Sequence, residues 1–191
     1  MKTLYHYVHC PFCIRVRMAL GFFGETWESH VLPYDDEKTP IDLTGVKMLP
    51  IMKFENGQAM NESLDIIRTL QKASPEHSLE LDRLEGEEGQ KIEKRLERLA
   101  KPVHNLCMPY FIYTPEFDEK SRQYFQAKKE KKRGPFYLLV QNQEEYLPEL
   151  EHQLEELEGE LVPFYHSAKL TIFHIMLAAH LWGLYLLPAS P

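Results

Sequence analysis

Residues 1–20 read MKTLYHYVHCPFCIRVRMAL, and the reading of the pair Cys10-Pro11-Phe12-Cys13 inside this stretch decides the fold. Two cysteines separated by two residues can form a redox pair, two zinc ligands or a structural clip. The flanking sequence weighs among them. Residues 3–8, TLYHYV, are a short β-prone run, and Ile14, Val16, Leu20 and Phe22 continue beyond the pair in a helix-compatible pattern, with Gly21 and Gly24 as stop signals. A second β-prone run, TWESHVLP at 26–33, completes a β-α-β unit, which implies two parallel strands of one sheet.

The next stretch predicts a short helix and then MLPIMKFENGQAM, a strand, an Asn56-Gly57 turn and a second short strand. NESLDIIRTLQK follows with Asn61 or Ser63 as candidate N-cap and Leu64, Ile67 and Leu70 at helical spacing. The order through residue 72 is βαβαββα. Composition then shifts to Ser, Pro, Gly and acidic residues, which places a linker at 73–84. From 85 to 191 long periodic segments (86–107, 115–132, 142–158 and 168–187) predict an all-α domain. The basic run 128–133, KKEKKR, reads as a solvated helix face.

The 191 residues carry a formal net charge of -7, which argues against general nucleic-acid binding, since a phosphate-neutralising surface leaves a domain basic. Three cysteines are unlike the dense, even set of a secreted disulfide scaffold, and the start of the chain has no secretory-signal pattern, so a cytoplasmic location is expected. The apolar stretch LTIFHIMLAAHLWGLYLLP contains His174 and His180 and reads as a buried core helix rather than a stable membrane insertion. Cys107, in NLCMPYF, reads as a buried core thiol.

A thiol at a helix N-terminus loses its proton readily, because unpaired N–H groups and the helix dipole favour the anion. Cys10 takes that position, and Pro11 supports it as a first helical residue. Cys13 lies about one turn further on the same side, within reach of a mixed disulfide at Cys10. The spacing therefore makes Cys10 the nucleophile and Cys13 the resolving thiol. A zinc site using His6, His9, Cys10 and Cys13 lacks a second ligand pair, so no metal is expected. Pro50 opens a strand, as at an edge or in a cis peptide that presents backbone groups. At the next helix start, Ser63 and free N–H groups suit a carboxylate and Glu62 an ammonium, as in an amino-acid moiety. His9 reads as a loop residue that could tune its neighbour. Arg15 and Arg17 are candidate electrostatic supports, with solvated helix positions the stronger expectation.

HCPFCIRVRMALG, EKTPIDLTGVKMLPI and MNESLDII resemble a glutaredoxin-type thioredoxin fold, and with the helical second half the chain resembles the two-domain bacterial glutaredoxins of the glutaredoxin 2 family, built like a glutathione transferase. The resemblance implies glutathione as co-substrate, Pro50 cis with the Leu49 backbone pairing with glutathione, and Glu62 and Ser63 holding its γ-glutamyl end. It implies a monomer acting on disulfide-containing or glutathionylated proteins. The alternatives are glutathione conjugation to electrophiles, which gains nothing from Cys13, and a non-enzymatic interaction module, which an exposed apolar C-terminus would favour. Two departures stand out. TIFH puts His174 where the family's last core helix has a capping aspartate, which predicts a weaker cap, and the chain ends at LLPASP where the family continues with a further helical segment.

Overall fold

The computed structural model describes residues 1–188; the last three residues of LLPASP lie outside the described part. The chain divides into two compact units, one of Met1–His77 with Ile112–Lys128, the other of Ser78–Phe111 with the chain from Lys129 onward.

The first unit begins with strand β1 (Lys2–His6), helix α1 (Pro11–Phe22) and strand β2 (Trp27–Val31), followed by helix α2 (Lys38–Thr44), strands β3 (Ile51–Lys53) and β4 (Ala59–Met60), and helix α3 (Ser63–Ala73). The sheet order is β2-β1-β3-β4, with β1 parallel to β2 and antiparallel to β3. This is a thioredoxin-like arrangement in the order expected from the sequence. Helix α1 runs through Gly21 rather than stopping there, and is closed off by Gly24 just beyond its C-cap Phe23. There φ of +65° allows the Glu25 N–H to bond to Leu20 O (3.0 Å) and the Gly24 N–H to Gly21 O (3.2 Å). The Asn56-Gly57 signal becomes the β3–β4 connection, where Gly57 has φ +85° and the Gln58 N–H bonds to Asn56 Oδ1 (3.0 Å). Helices α1 and α3 pack together, and Leu4, Val16, Leu20, Ile51, Ile66 and Leu70 are buried. Burying such side chains contributes about 1.5–3 kcal/mol each.

The register aligns three loops. Tyr5 pairs with Ile51, so Pro50 sits at the end of the sheet where β1 runs out toward Cys10. Met52 pairs with Met60, so the chain leaving β4 toward Glu62 and Ser63 reaches the same end.

The second unit is helical. Helix α4 (Glu87–Phe111) is its spine, and α6 (Phe136–Gln141), α7 (Gln143–Gly159) and α8 (Ile172–Leu181) pack on it. Helix α5 (Glu119–Arg133) passes from the first unit into the second. Arg95 on α4 bonds to Glu156 (2.8 Å) and to Glu160, fastening α4 to the C-terminal end of α7. Helix α8 has only ten residues before a 3-10 segment, about 15 Å of rise. Among the described residues no helix is long and apolar enough to cross a membrane. Cys107 is buried, and burial pushes its thiol up to about 12.

At the start of α8 the capping box is present with histidine in place of aspartate. His174 completes a capping box, its Nδ1 accepting the Thr171 N–H at 2.9 Å. The Tyr165 N–H points at the other ring nitrogen, Nε2, at 2.6 Å.

Candidate functional site

The loop after β1 brings Cys10 to the N-cap of α1, with extended backbone (φ -78°, ψ 121°) and Pro11 in the first turn. Proline fits because its missing N–H would have had no partner there. No side chain closes this helix end with a regular hydrogen bond, and the N–H groups of Phe12 and Cys13 face the Cys10 sulfur and favour its anion. Cys10 is half-buried, Cys13 is buried, and both are thiols rather than a disulfide.

The two sulfurs have opposite acidities. A hydrogen bond from the Cys13 thiol is the largest influence on Cys10. Together with the charge of His9 and the two backbone N–H groups it outweighs burial and brings Cys10 down to about 6. Burial acts first on Cys13, and the neighbouring Cys10 sulfur adds to it, so this thiol is pushed well above its ordinary value. The Tyr7 N–H bonds to Cys13 Sγ at 3.4 Å, which fixes the buried sulfur against the end of β1.

His9 is a loop residue, as expected, but a buried one. Its Nδ1 lies 2.6 Å from Glu116 Oε1, and the same oxygen accepts the Val8 N–H at 2.8 Å and the His9 N–H at 3.1 Å. The imidazole stacks on Tyr7 and meets Tyr34, Phe117 and Phe125 at centroid distances of 5.2–5.7 Å. Burial alone would push the Glu116 carboxyl up, but the bonds from His9 hold it below the usual carboxylate range. Burial pushes the Tyr34 phenol up to about 12.

The Leu49–Pro50 peptide is cis, the isomer the resemblance implies, and both residues are buried just before β3. The N-cap of α3 is Glu62, rather than Asn61 or Ser63, and its side chain makes no capping bond. Ser63 is buried while Glu62 is exposed, so the first N–H groups of this helix stand beside one sheltered hydroxyl and one solvated carboxylate. Arg15, expected on a solvated face, is buried with its guanidinium 4.7 Å from the Phe12 ring centroid; Arg17 is half-buried. Arg15 is not among the leading influences on Cys10. Among the described residues no group of three or more His, Cys, Asp or Glu side chains is arranged to hold a metal ion.

Sequence reasoning did not find Glu116. It lies 107 residues from His9, at the start of the segment read as helical from residue 115, whereas α5 begins only at Glu119 and leaves it in the α4–α5 connection, where no motif marks it.

Comparison with known proteins agrees with this geometry. Residues 4–78 match the glutathione S-transferase N-terminal domain, and residues 91–189 match the glutaredoxin 2 C-terminal domain. Glutaredoxin 2 of Escherichia coli K12 is 32% identical over 163 residues, 83% of this chain and 73% of that protein. The crystal structure of glutaredoxin 2 from Salmonella typhimurium in complex with glutathione superposes with a TM-score of 0.87 at 30% identity, covering 100% of this chain and 87% of that one. A glutathione S-transferase of Ceriporiopsis subvermispora in complex with glutathione shares the fold at a TM-score of 0.81 and 12% identity, over 96% of this chain and 84% of its own. An acidified N-cap thiol beside a buried one, in a thioredoxin-like unit followed by a glutaredoxin 2 C-terminal domain, leads to one assignment: the chain belongs to the glutaredoxin 2 family of glutathione-dependent oxidoreductases.

Proposed function

We propose that the chain performs glutathione-dependent thiol-disulfide exchange with Cys10 as nucleophile and Cys13 as resolving thiol. The observation that carries the reading is the opposite displacement of the two thiols at the start of α1. The Cys10 thiolate attacks one sulfur of a disulfide, forming a mixed disulfide and releasing the other sulfur as a thiolate that takes up a proton. Cys13 then gives up its proton and attacks Cys10 Sγ. The second substrate thiol leaves, and the two electrons delivered to the substrate leave a Cys10–Cys13 disulfide. Two glutathione thiols restore the dithiol and become glutathione disulfide. With a glutathionylated protein as substrate, Cys10 takes the glutathione and a second glutathione releases it.

Glutathione suits the residues at the same end of the sheet. The Leu49 backbone beside Pro50 is available to pair with an extended peptide, the α3 N-terminus with Ser63 suits the γ-glutamyl carboxylate, and Glu62 suits its ammonium. Pro11 sets the first turn of α1 under the nucleophile. The sparse cysteines fit a reducing, cytoplasmic location, and the family resemblance supports a monomer that acts on disulfide-containing or glutathionylated proteins. Conjugation of electrophiles would activate the thiol of glutathione itself and leave Cys13 without a task.

Turnover of a glutathione mixed disulfide by the wild type and by Cys10→Ser tests the reading. Loss of at least about a hundredfold is expected, since the thiolate is the reacting group. Turnover surviving in Cys10→Ser, or conjugation faster than disulfide exchange in the wild type, would overturn it.

A further inference from the structure

We propose that Glu116 is a positioning residue for Cys10, acting through His9: one buried carboxylate oxygen grips the His9 imidazole and the two backbone N–H groups that lead into the nucleophile. This rests on the reading of Cys10 as the reacting thiol. The geometry is specific. Glu116 Oε1 takes three donors, His9 Nδ1 at 2.6 Å, Val8 N at 2.8 Å and His9 N at 3.1 Å, so one side chain sets both the path of residues 8–9 and the plane of the ring. The Tyr34 N–H bonds to Glu116 O at 2.9 Å, and the neighbouring Phe117 stacks on Tyr34, so the carboxylate is itself held. Both members of the pair are buried, with Glu116 2% and His9 7% exposed, where charges are screened far less than at the surface.

The pair acts differently on the two thiols. A charged His9 favours the Cys10 anion, while the negative charge of Glu116 disfavours an anion at the more deeply buried Cys13. Glu116 thus widens the gap between attacking and resolving sulfur from both sides. The other titratable groups around the cluster are the Tyr7 and Tyr34 phenols, both pushed up by burial, and His6, which burial holds toward its neutral form. Asp36 faces Tyr7, and Arg17 faces His6. None of these replaces a cation beside Cys10.

The test is the pH profile of Cys10 alkylation by iodoacetamide in the full-length reduced protein, for the wild type, Glu116→Gln, His9→Gln and the double variant. Gln keeps the shape and one acceptor oxygen, so a role confined to packing leaves the midpoint where it is. The Cys10 midpoint is expected to rise by about one pH unit in Glu116→Gln, slowing alkylation about tenfold at a pH below both midpoints. In the His9→Gln background the same change is expected to add nothing. A midpoint unchanged in Glu116→Gln, or a shift of equal size with His9 already replaced, would overturn the proposal. Should Glu116→Gln fail to fold, Glu116→Asp decides in its place: the shorter carboxylate loosens its hold on His9 and the Cys10 midpoint must rise, and an unchanged midpoint there overturns the proposal. Cys10→Ser reports separately. Turnover surviving there removes the exchange reading, whereas turnover lost there with an unmoved Cys10 midpoint removes only the role of Glu116.

Discussion

At the scale of the residue, the Cys13 thiol is the largest single influence on Cys10, a hydrogen bond that favours the Cys10 anion. The sign for pH follows from the lowered value: below about 6 Cys10 holds its proton and alkylation falls about tenfold per pH unit, while above it the rate levels off. Replacing Cys13 by Ser keeps an O–H donor, whereas Ala removes it. The alkylation midpoint should therefore rise by about one unit or more in Cys13→Ala and by less in Cys13→Ser. Both variants should lose reduction of protein dithiol disulfides yet turn over glutathione mixed disulfides, because only the first reaction needs an internal attack on Cys10. Equal midpoints in the two variants would remove the hydrogen bond from the account. The roles of this pair were legible because spacing, Pro11 and the strand before it are local signals. Glu116 was not, because its partners are brought together only by the folded chain.

At the scale of the element, the first unit was readable almost throughout, since period-two and period-3.6 patterns alternate there with Gly and Asn turn signals. In the second unit α6 escaped detection: six residues between Pro135 and Asn142 are too few to display a helical period. The cap of α8 shows the opposite case, a departure visible in the sequence whose outcome was not. His174 presents two ring nitrogens to two backbone N–H groups, those of Thr171 and Tyr165, but a neutral imidazole accepts at only one. Burial lowers its proton affinity, so protonation offers no relief. An aspartate could accept from both donors, would favour the helix N-terminus, and would gain from nearby Arg83, whose charge acts on this position. His174→Asp is accordingly expected to stabilise the protein by about 1 kcal/mol. Thermal unfolding should show a Tm higher by about 2–4 °C. A Tm at or below that of the wild type would mean that the imidazole already satisfies both donors by relaxing.

At the scale of the whole molecule, the boundary of the reactive unit differs from the boundary of the sequence pattern. The composition shift at 73–84 suggests that a fragment ending there carries the whole thioredoxin-like half, yet residues 112–128 belong to the same compact unit. That returning segment supplies Glu116 to His9, Phe117 and Phe125 to the rings of Tyr34 and His9, and Ser121 to the Asp35 backbone N–H at 3.3 Å. Phe117 and Phe125 are 4% and 0% exposed. Removing one such ring from a core costs about 3–5 kcal/mol, so losing both, with the buried carboxylate, reaches the range of about 5–15 kcal/mol that is a domain's entire stability. A fragment of residues 1–84 should therefore lack a cooperative urea transition, and its Cys10 alkylation midpoint should move up toward that of an ordinary thiol, near about 8.5. Adding the 112–128 segment back through a flexible linker joined after residue 84 should restore both the transition and the acidity of Cys10. A fragment ending at 84 that unfolds cooperatively with a low Cys10 midpoint would show that the strands and α1 suffice by themselves, and that the returning segment only covers a unit already formed.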